Sequence, residues 1–198
     1  MDAAAQYALA YALTTSAGLR GLLTLAVVSV AVHLGVLHPP AAFAWLGSNA
    51  VTLALVAVAL VEILGDKVPL IDHLFHALQT IVKPAAAAIL VGGIVHTQNS
   101  PELYGLMALG ALNALGVHAA SAAARGASTA LTGGVANPVI SLAEDSMSVT
   151  MIAFAFLAPL FAAILAILLS YFIFRAARKI WRHRESAAAE LPPGSGAG

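Results

Sequence analysis

Nine ionisable side chains interrupt stretches of this sequence that are otherwise apolar: Arg20, Lys67, Lys83 and Arg125 against Glu62, Asp66, Asp72, Glu144 and Asp145. A charge at the centre of a bilayer costs about 2.5–3.5 kcal/mol on insertion scales, so such groups face a bundle interior and pair. Four cations against five acids nearly cancel. Carboxylates beside guanidinium groups in a low-dielectric interior can hold a proton, a cation or a small anion.

Glu62 and Asp66 stand four residues apart, which puts both carboxylates on one helical face. Paired carboxylates repel, and that repulsion favours a bound proton or cation. The alternative is structural: Glu62 pairs with Arg20 or Arg125, while Asp66 and Lys67 sit at headgroup depth. Glu144 and Asp145 form the second acidic element. Asn137-Pro138 opens their helix, with Asn as expected N-cap and Pro at the first position. Ser141 and Ser148 share a face with the acids and suggest a cavity lining. The alternative is a first-turn acid favoured by the helix dipole, but that effect fades after one turn.

Ser16-Ala17-x-x-Arg20-Gly21-x-x-Thr24 matches Ser121-Ala122-x-x-Arg125-Gly126-x-x-Thr129 at five positions. The arginines give the match its weight, because only four Lys/Arg precede the basic run near the C-terminus. Pro69-Leu70-Ile71-Asp72 and Pro138-Val139-Ile140-Ser141 form a weaker echo at another offset. A two-fold internal repeat is expected, the alternative being coincidence in an Ala/Gly-rich chain. Duplicated halves with broken helices are common in transporters. Each Arg-Gly is expected at a helix break, where a guanidinium and unsatisfied N–H groups together suit an anion.

Asp72, His73 and His76 are close enough on one helix for metal ligation, but an interfacial polar face is the stronger reading. Whether the acidic motifs bind metal is left open. His33, His38, His96 and His118 fall near segment ends as packed or interfacial residues, although a histidine in lipid can also shuttle protons. No cofactor fingerprint or hydrolase motif occurs, so no enzyme is expected.

The elements that position these groups are membrane elements. The chain is 61% hydrophobic and 9% charged, with a mean hydropathy of +0.92. Soluble domains carry about 25% charged residues, so lipid is the expected solvent. The absence of cysteine excludes disulfides and thiolate chemistry. The fold class expected is all-α: a polytopic transmembrane helix bundle with broken or re-entrant helices and about five membrane regions in residues 1–175. The first region, 3–37, is too long for one span and is expected to break at 16–21. Residues 41–64 read as a good spanning helix. Residues 70–82 and 84–96 read together as a re-entrant or Pro84-broken helix. Residues 103–124 span again, 125–137 look irregular, and 149–174 is the cleanest span, kinked at Pro159.

Residues 176–198 read as a basic juxtamembrane segment and disordered tail. Arg175, Arg178, Lys179, Arg182 and Arg184 place the C-terminus in the cytoplasm under the positive-inside rule. An odd number of regions would put the N-terminus outside; its lack of a basic start argues against a secretory signal. The basic run has too few interleaved aromatics for nucleic acid.

Ser16-Ala17-Gly18-Leu19-Arg20, Glu62-x-x-Gly65-Asp66-Lys67-x-Pro69-x-x-Asp72 and Asn137-Pro138-x-x-Ser141-x-x-Glu144-Asp145 together resemble the domain-of-unknown-function family 4126. The resemblance covers roughly residues 8 to 175. It implies a small integral membrane protein of bacterial type, in an inner membrane, and supplies no activity. Glu62-Ile63-Leu64-Gly65-Asp66-Lys67 is also similar to the Glu-x-Gly-Asp-Lys motif of small cation/proton exchangers, with one extra residue and no second copy. The exchangers' manganese or calcium site is thus without its full motif here.

The function expected is a small transporter or channel-like protein. Its substrate- or ion-binding residues would be Arg20, Glu62, Asp66, Lys67, Asp72, Arg125, Asn137, Ser141, Glu144 and Asp145. The alternative is a non-transporting membrane scaffold or assembly factor with structural ion pairs. The partners considered are the bilayer, a small ion or anionic substrate, and a second copy of the chain.

Overall fold

The computed structural model describes residues 1–65 and 69–189, with side chains described except at 69–77, 173, 176, 177 and 180–189. Asp66 and Lys67 lie outside the described residues, as does the side chain of Asp72. All regular structure among the described residues is helical: α1 (Ala3–Leu19), α2 (Gly21–His33), a 3₁₀ segment (Ala41–Gly47), α3 (Asn49–Gly65), α4 (Pro69–Ile94), α5 (Ser100–Thr132), α6 (Asn137–Leu157) and α7 (Pro159–Ala189). Two helices, Ser100–Thr132 and Asn137–Leu157, are long and apolar enough to cross a membrane. A third span results if the 3₁₀ segment and α3, bent by 63°, count as one.

α1 occupies the middle of the bundle and packs against α2, α4, α5, α6 and α7. Its second half is buried from Ala12 to Leu19. Small residues permit this: a Cβ on Gly18 would stand 2.5 Å from Val117 Cβ, and one on Gly110 would stand 2.7 Å from Val91 Cγ2. The backbones of α1, α4 and α5 therefore approach closely, the packing favoured where lipid supplies no hydrophobic drive between helices. On α4, Gly92 receives the ring of Phe43 from the 3₁₀ segment.

The overlong first region breaks where expected, at Arg20, whose φ of −134° and ψ of 86° leave the helical region. Four other boundaries differ from expectation. Pro84 does not break α4: the helix continues through it, lacking one rung of its ladder, because the surrounding helices hold the segment in register. Residues 125–132 are helical, and α5 ends at Gly133, whose φ of 62° is a left-handed cap that glycine takes without strain. The stretch 149–174 is not one kinked span. Pro159 lacks an N–H and disfavours helical dihedrals at Ala158, which takes φ −149° and ψ 75°, so α6 stops and α7 begins anew. Residues 41–64 are a bent pair rather than one straight helix. Toward the C-terminus, α7 carries helix as far as Ala189.

Tight packing at Gly18 has a measurable consequence. Gly18→Ala should lower stability by about 1–3 kcal/mol through overpacking. Gly105→Ala, where a Cβ meets nothing within 4 Å, should be neutral or stabilising by up to about 1 kcal/mol. Chemical unfolding in mixed micelles compares the two; equal stabilities would contradict the close α1–α5 approach.

Candidate functional site

The break at Arg20 exposes two kinds of donor, and each is met by a carboxylate from elsewhere in the chain. The first turn of α2 has N–H groups with no helical acceptor. One of them, on Leu23, donates to Glu62 Oε2 at 3.0 Å. Glu62 comes from α3 and is 1% exposed. It therefore caps α2 across the tertiary fold, where a negative charge also complements the positive end of the helix dipole.

The guanidinium of Arg20 is completely buried and points at α6. Its Nη2 donates to Ser141 Oγ at 2.8 Å and lies 3.9 Å from Glu144 Oε2. Its Nε stands 2.6 Å from Asp145 Oδ1, an ion-pair contact rather than an in-line hydrogen bond. Arg125 reaches the same acid from α5: its Nη2 donates to Glu144 Oε2. Ser121, one helical turn before Arg125, donates to Glu144 Oε1. Both oxygens of Glu144 are thus engaged, and two arginines, one at the α1–α2 break and one on α5, meet at one carboxylate. Two cations and two anions make a locally neutral cluster, the arrangement that limits the cost of burying charge.

Hydroxyl groups continue this polar seam. Ser16 Oγ lies 2.7 Å from Ser148 Oγ and 2.9 Å from Thr24 Oγ1, joining α1, α6 and α2. Thr24 in turn donates to the Arg20 carbonyl at 2.7 Å. Asn113 of α5 donates to Thr14 and Thr15 of α1 at 3.0 and 2.9 Å.

Of the expected site residues, Arg20, Arg125, Ser141, Glu144 and Asp145 come together. Glu62 lies at the same helix break but on its N–H side. Asn137 does not cap α6; its side-chain amide donates back to Thr129 of α5 at 3.0 Å, because Ala136 occupies the cap position. Arg125-Gly126 is not at a helix break, so only Arg20-Gly21 combines a guanidinium with a helix N-terminus. The matched motifs nonetheless share one local contact: Thr129 Oγ1 donates to the Arg125 carbonyl at 2.9 Å, as Thr24 does to Arg20. Ser121 and Ser148 act at the site although only the arginines and acids stood out by charge. Their signal in the sequence was spacing, four residues from Arg125 and from Glu144.

A second polar contact lies between α4 and α5. Lys83 Nζ is 3.3 Å from His118 Nδ1, and His118 Nε2 is 3.4 Å from Thr80 Oγ1. Sequence reasoning placed His118 near a segment end; it sits at mid-length of α5, which is longer than expected. Among the described residues no group of three or more His, Asp or Glu could hold a metal ion. The side chains of Asp72, His73 and His76 lie outside that set.

Removing one member of the cluster leaves a buried charge unpaired. Arg20→Met should therefore destabilise the fold by about 3–5 kcal/mol. Asp145→Asn should cost less, since its side chain is 19% exposed. The double variant should cost measurably less than the sum, with a coupling above about 0.5 kcal/mol in a double-mutant cycle. Additive losses would show that Arg20 and Asp145 do not interact.

Residues 7–179 match the family described as a domain of unknown function, DUF4126. No curated protein and no solved structure matches the chain. With the match running from within α1 to within α7 and taking in the three sequence motifs and the whole arginine–carboxylate cluster, the chain belongs to the DUF4126 family.

Proposed function

We propose that this protein is a small integral membrane transporter or channel-like protein, and that the arginine–carboxylate cluster handles its substrate. The observation that carries this reading is the convergence of Arg20, at the α1–α2 break, and Arg125, on α5, on Glu144. A plain anchor has no need to bring buried charge from three chain segments to one point, given the cost of each in lipid. The helix break at Arg20 and the hydroxyl seam beside it supply polar groups inside an apolar bundle, as transport sites with discontinuous helices do. The carboxylates would take a proton or cation, and the arginines an anionic group or counter-charge. The two Ser-Arg-Thr motifs would serve as paired halves of one site. We read the protein as non-enzymatic, seated in a bacterial inner membrane with its C-terminus cytoplasmic.

A second reading, a membrane scaffold or assembly factor, is favoured by one feature: each arginine already has a carboxylate partner, so the cluster is neutral without a guest. Under that reading, neutralising Arg20 together with Asp145 preserves function. Under transport it does not.

Reconstituted into liposomes, the wild-type protein should carry protons, inorganic cations or phosphate faster than empty liposomes. Glu144→Gln and Glu62→Gln should each reduce coupled flux to background while the protein remains folded. Wild-type flux that never exceeds empty liposomes for any of these ions would sink the transport reading.

A further inference from the structure

α1 and α2 form a hairpin that enters the bundle from one end and returns to it. α1 runs parallel to α5: Tyr7 meets Glu102, Thr14 meets Asn113, and Gly18 meets Val117. α2 runs the other way. Its first residue, Gly21, lies against Lys83 of α4. Near its end, Ser29 and His33 bond the 3₁₀ segment at Leu46 and Gly47, and that segment packs on Gly92 and Gly93 at the C-terminal end of α4. At the same end Gln6 of α1 accepts from the His96 N–H. The arms, of 17 and 13 residues, reach only about 25 and 20 Å at 1.5 Å per residue. α5 runs past them, from Val117 beside Gly18 on to Thr132. Arg20 is therefore the tip of a re-entrant hairpin, and the arginine–carboxylate cluster lies at that tip.

Two directions lead away from the cluster, and they differ in chemistry. Toward the hairpin's own ends the space is filled. Beyond the Ser16–Ser148 contact stand Leu13, Met151, Ile152 and Ala155 in the buried apolar core. The polar groups at that level already serve one another: Asn113 donates to Thr14 and Thr15, and both threonines donate to the Tyr11 carbonyl. Toward the α5–α6 turn the facing surfaces stay polar. Ser128 follows Arg125 by three residues on α5, and Asn137 precedes Ser141 by four on α6, so each continues the face that carries the cluster. Ser128 Oγ and Asn137 Oδ1 are both buried, and neither has a hydrogen-bond partner among the described residues. Buried polar atoms are normally paired, and where protein supplies no partner ordered water does. The arginines grade in the same sense: the Arg20 side chain, on the hairpin, is 0% exposed, and that of Arg125, on α5, is 11% exposed.

From these features we infer that water enters between α5 and α6 at their turn, passes Asn137 and Ser128, and reaches Arg125 and Glu144, while the α1–α2 hairpin closes the cluster toward the opposite end. The wet face is also the one toward which α7 runs. α6 is antiparallel to α1, with Ser148 at Ser16 and Ser141 at Arg20. α7 turns back along it, Phe161 on Phe154, and brings Phe174 to Gly116 of α5. Arg175, Arg178 and Lys179 follow on the same course. Small hydrated ions take the route that water takes. The inference concerns hydration and does not rest on transport: a cluster wetted from one face without flux leaves it standing and removes only the transport reading.

The chain has no cysteine, so single cysteines report on each face. A thiol reacts with a charged methanethiosulfonate as the thiolate, which forms in water and not in a dry core. The test uses the full chain in sealed vesicles, with Gln98→Cys and Arg178→Cys marking the two faces. Ser128→Cys should be modified at least about tenfold faster from the Arg178 face than from the Gln98 face, and Leu13→Cys should resist the reagent from both. Wild-type protein gives a second reading that needs no variant. In water-edited solid-state NMR, Asn137 and Glu144 should receive magnetisation from water early, and Leu13 and Ala155 late. If Ser128→Cys does not fold, that spectrum decides alone. Modification of Ser128→Cys from the Gln98 face or from neither face, or Asn137 and Glu144 signals as dry as Leu13, would overturn the inference.

Discussion

Everything near the centre of this protein follows from one constraint: a guanidinium with no solvent exposure must be neutralised inside an apolar bundle. Arg20 cannot reach water. Its charge is met by Asp145 and Glu144, and one of its N–H donors by the Ser141 hydroxyl, all on α6. That requirement fixes the rotation of α6, because residues 141, 144, 145 and 148 share one helical face and all four must point inward. It also fixes the approach of α5, whose Arg125 and Ser121 complete the contacts of Glu144.

The backbone break at Arg20 belongs to the same solution. An unbroken helix would have no N–H groups at mid-bundle to offer a second carboxylate. Ending α1 at Leu19 and restarting at Gly21 creates a helix N-terminus in the interior, and Glu62 of α3 satisfies it. Gly21 is needed for a further reason, since any side chain there would press on Lys83 of α4. Two acidic motifs far apart in the chain thus serve opposite sides of one discontinuity: Glu62 on the backbone donors and Glu144-Asp145 on the side chain. The hydroxyls of Ser16, Thr24 and Ser148 close the space between them.

Composition made the class of structure plain, and charge within apolar stretches identified most of the residues that meet. Helix boundaries were less legible. Pro84 reads as a breaker, yet α4 passes through it, because packing against α1, α2 and α5 outweighs one missing rung. Pro159 reads as a kink and instead ends a helix. Local propensity at the two prolines is similar, and only their neighbours distinguish them. Residues 125–132 read as irregular for their Gly, Ser and Thr content, yet the side chains of Thr129 and Thr132 bond within the helix or to Asn137 at the start of α6 and leave it intact.

The sequence by itself determined that this chain is helical and apolar, that the charges within its apolar stretches nearly cancel, and that two Ser-Arg-Thr motifs and two acidic motifs carry most of them. Those are properties of composition and spacing, which need no coordinates. Only the tertiary structure decided which acid serves which arginine. Glu62, which spacing alone joined to Asp66, caps α2, and Glu144 became the meeting point of both arginines. It also brought Lys83 to His118, residues 35 positions apart on neighbouring helices. The physical reason is that ion pairing is chosen by proximity and desolvation after packing, and packing depends on where glycines let helices approach, information spread over the whole chain.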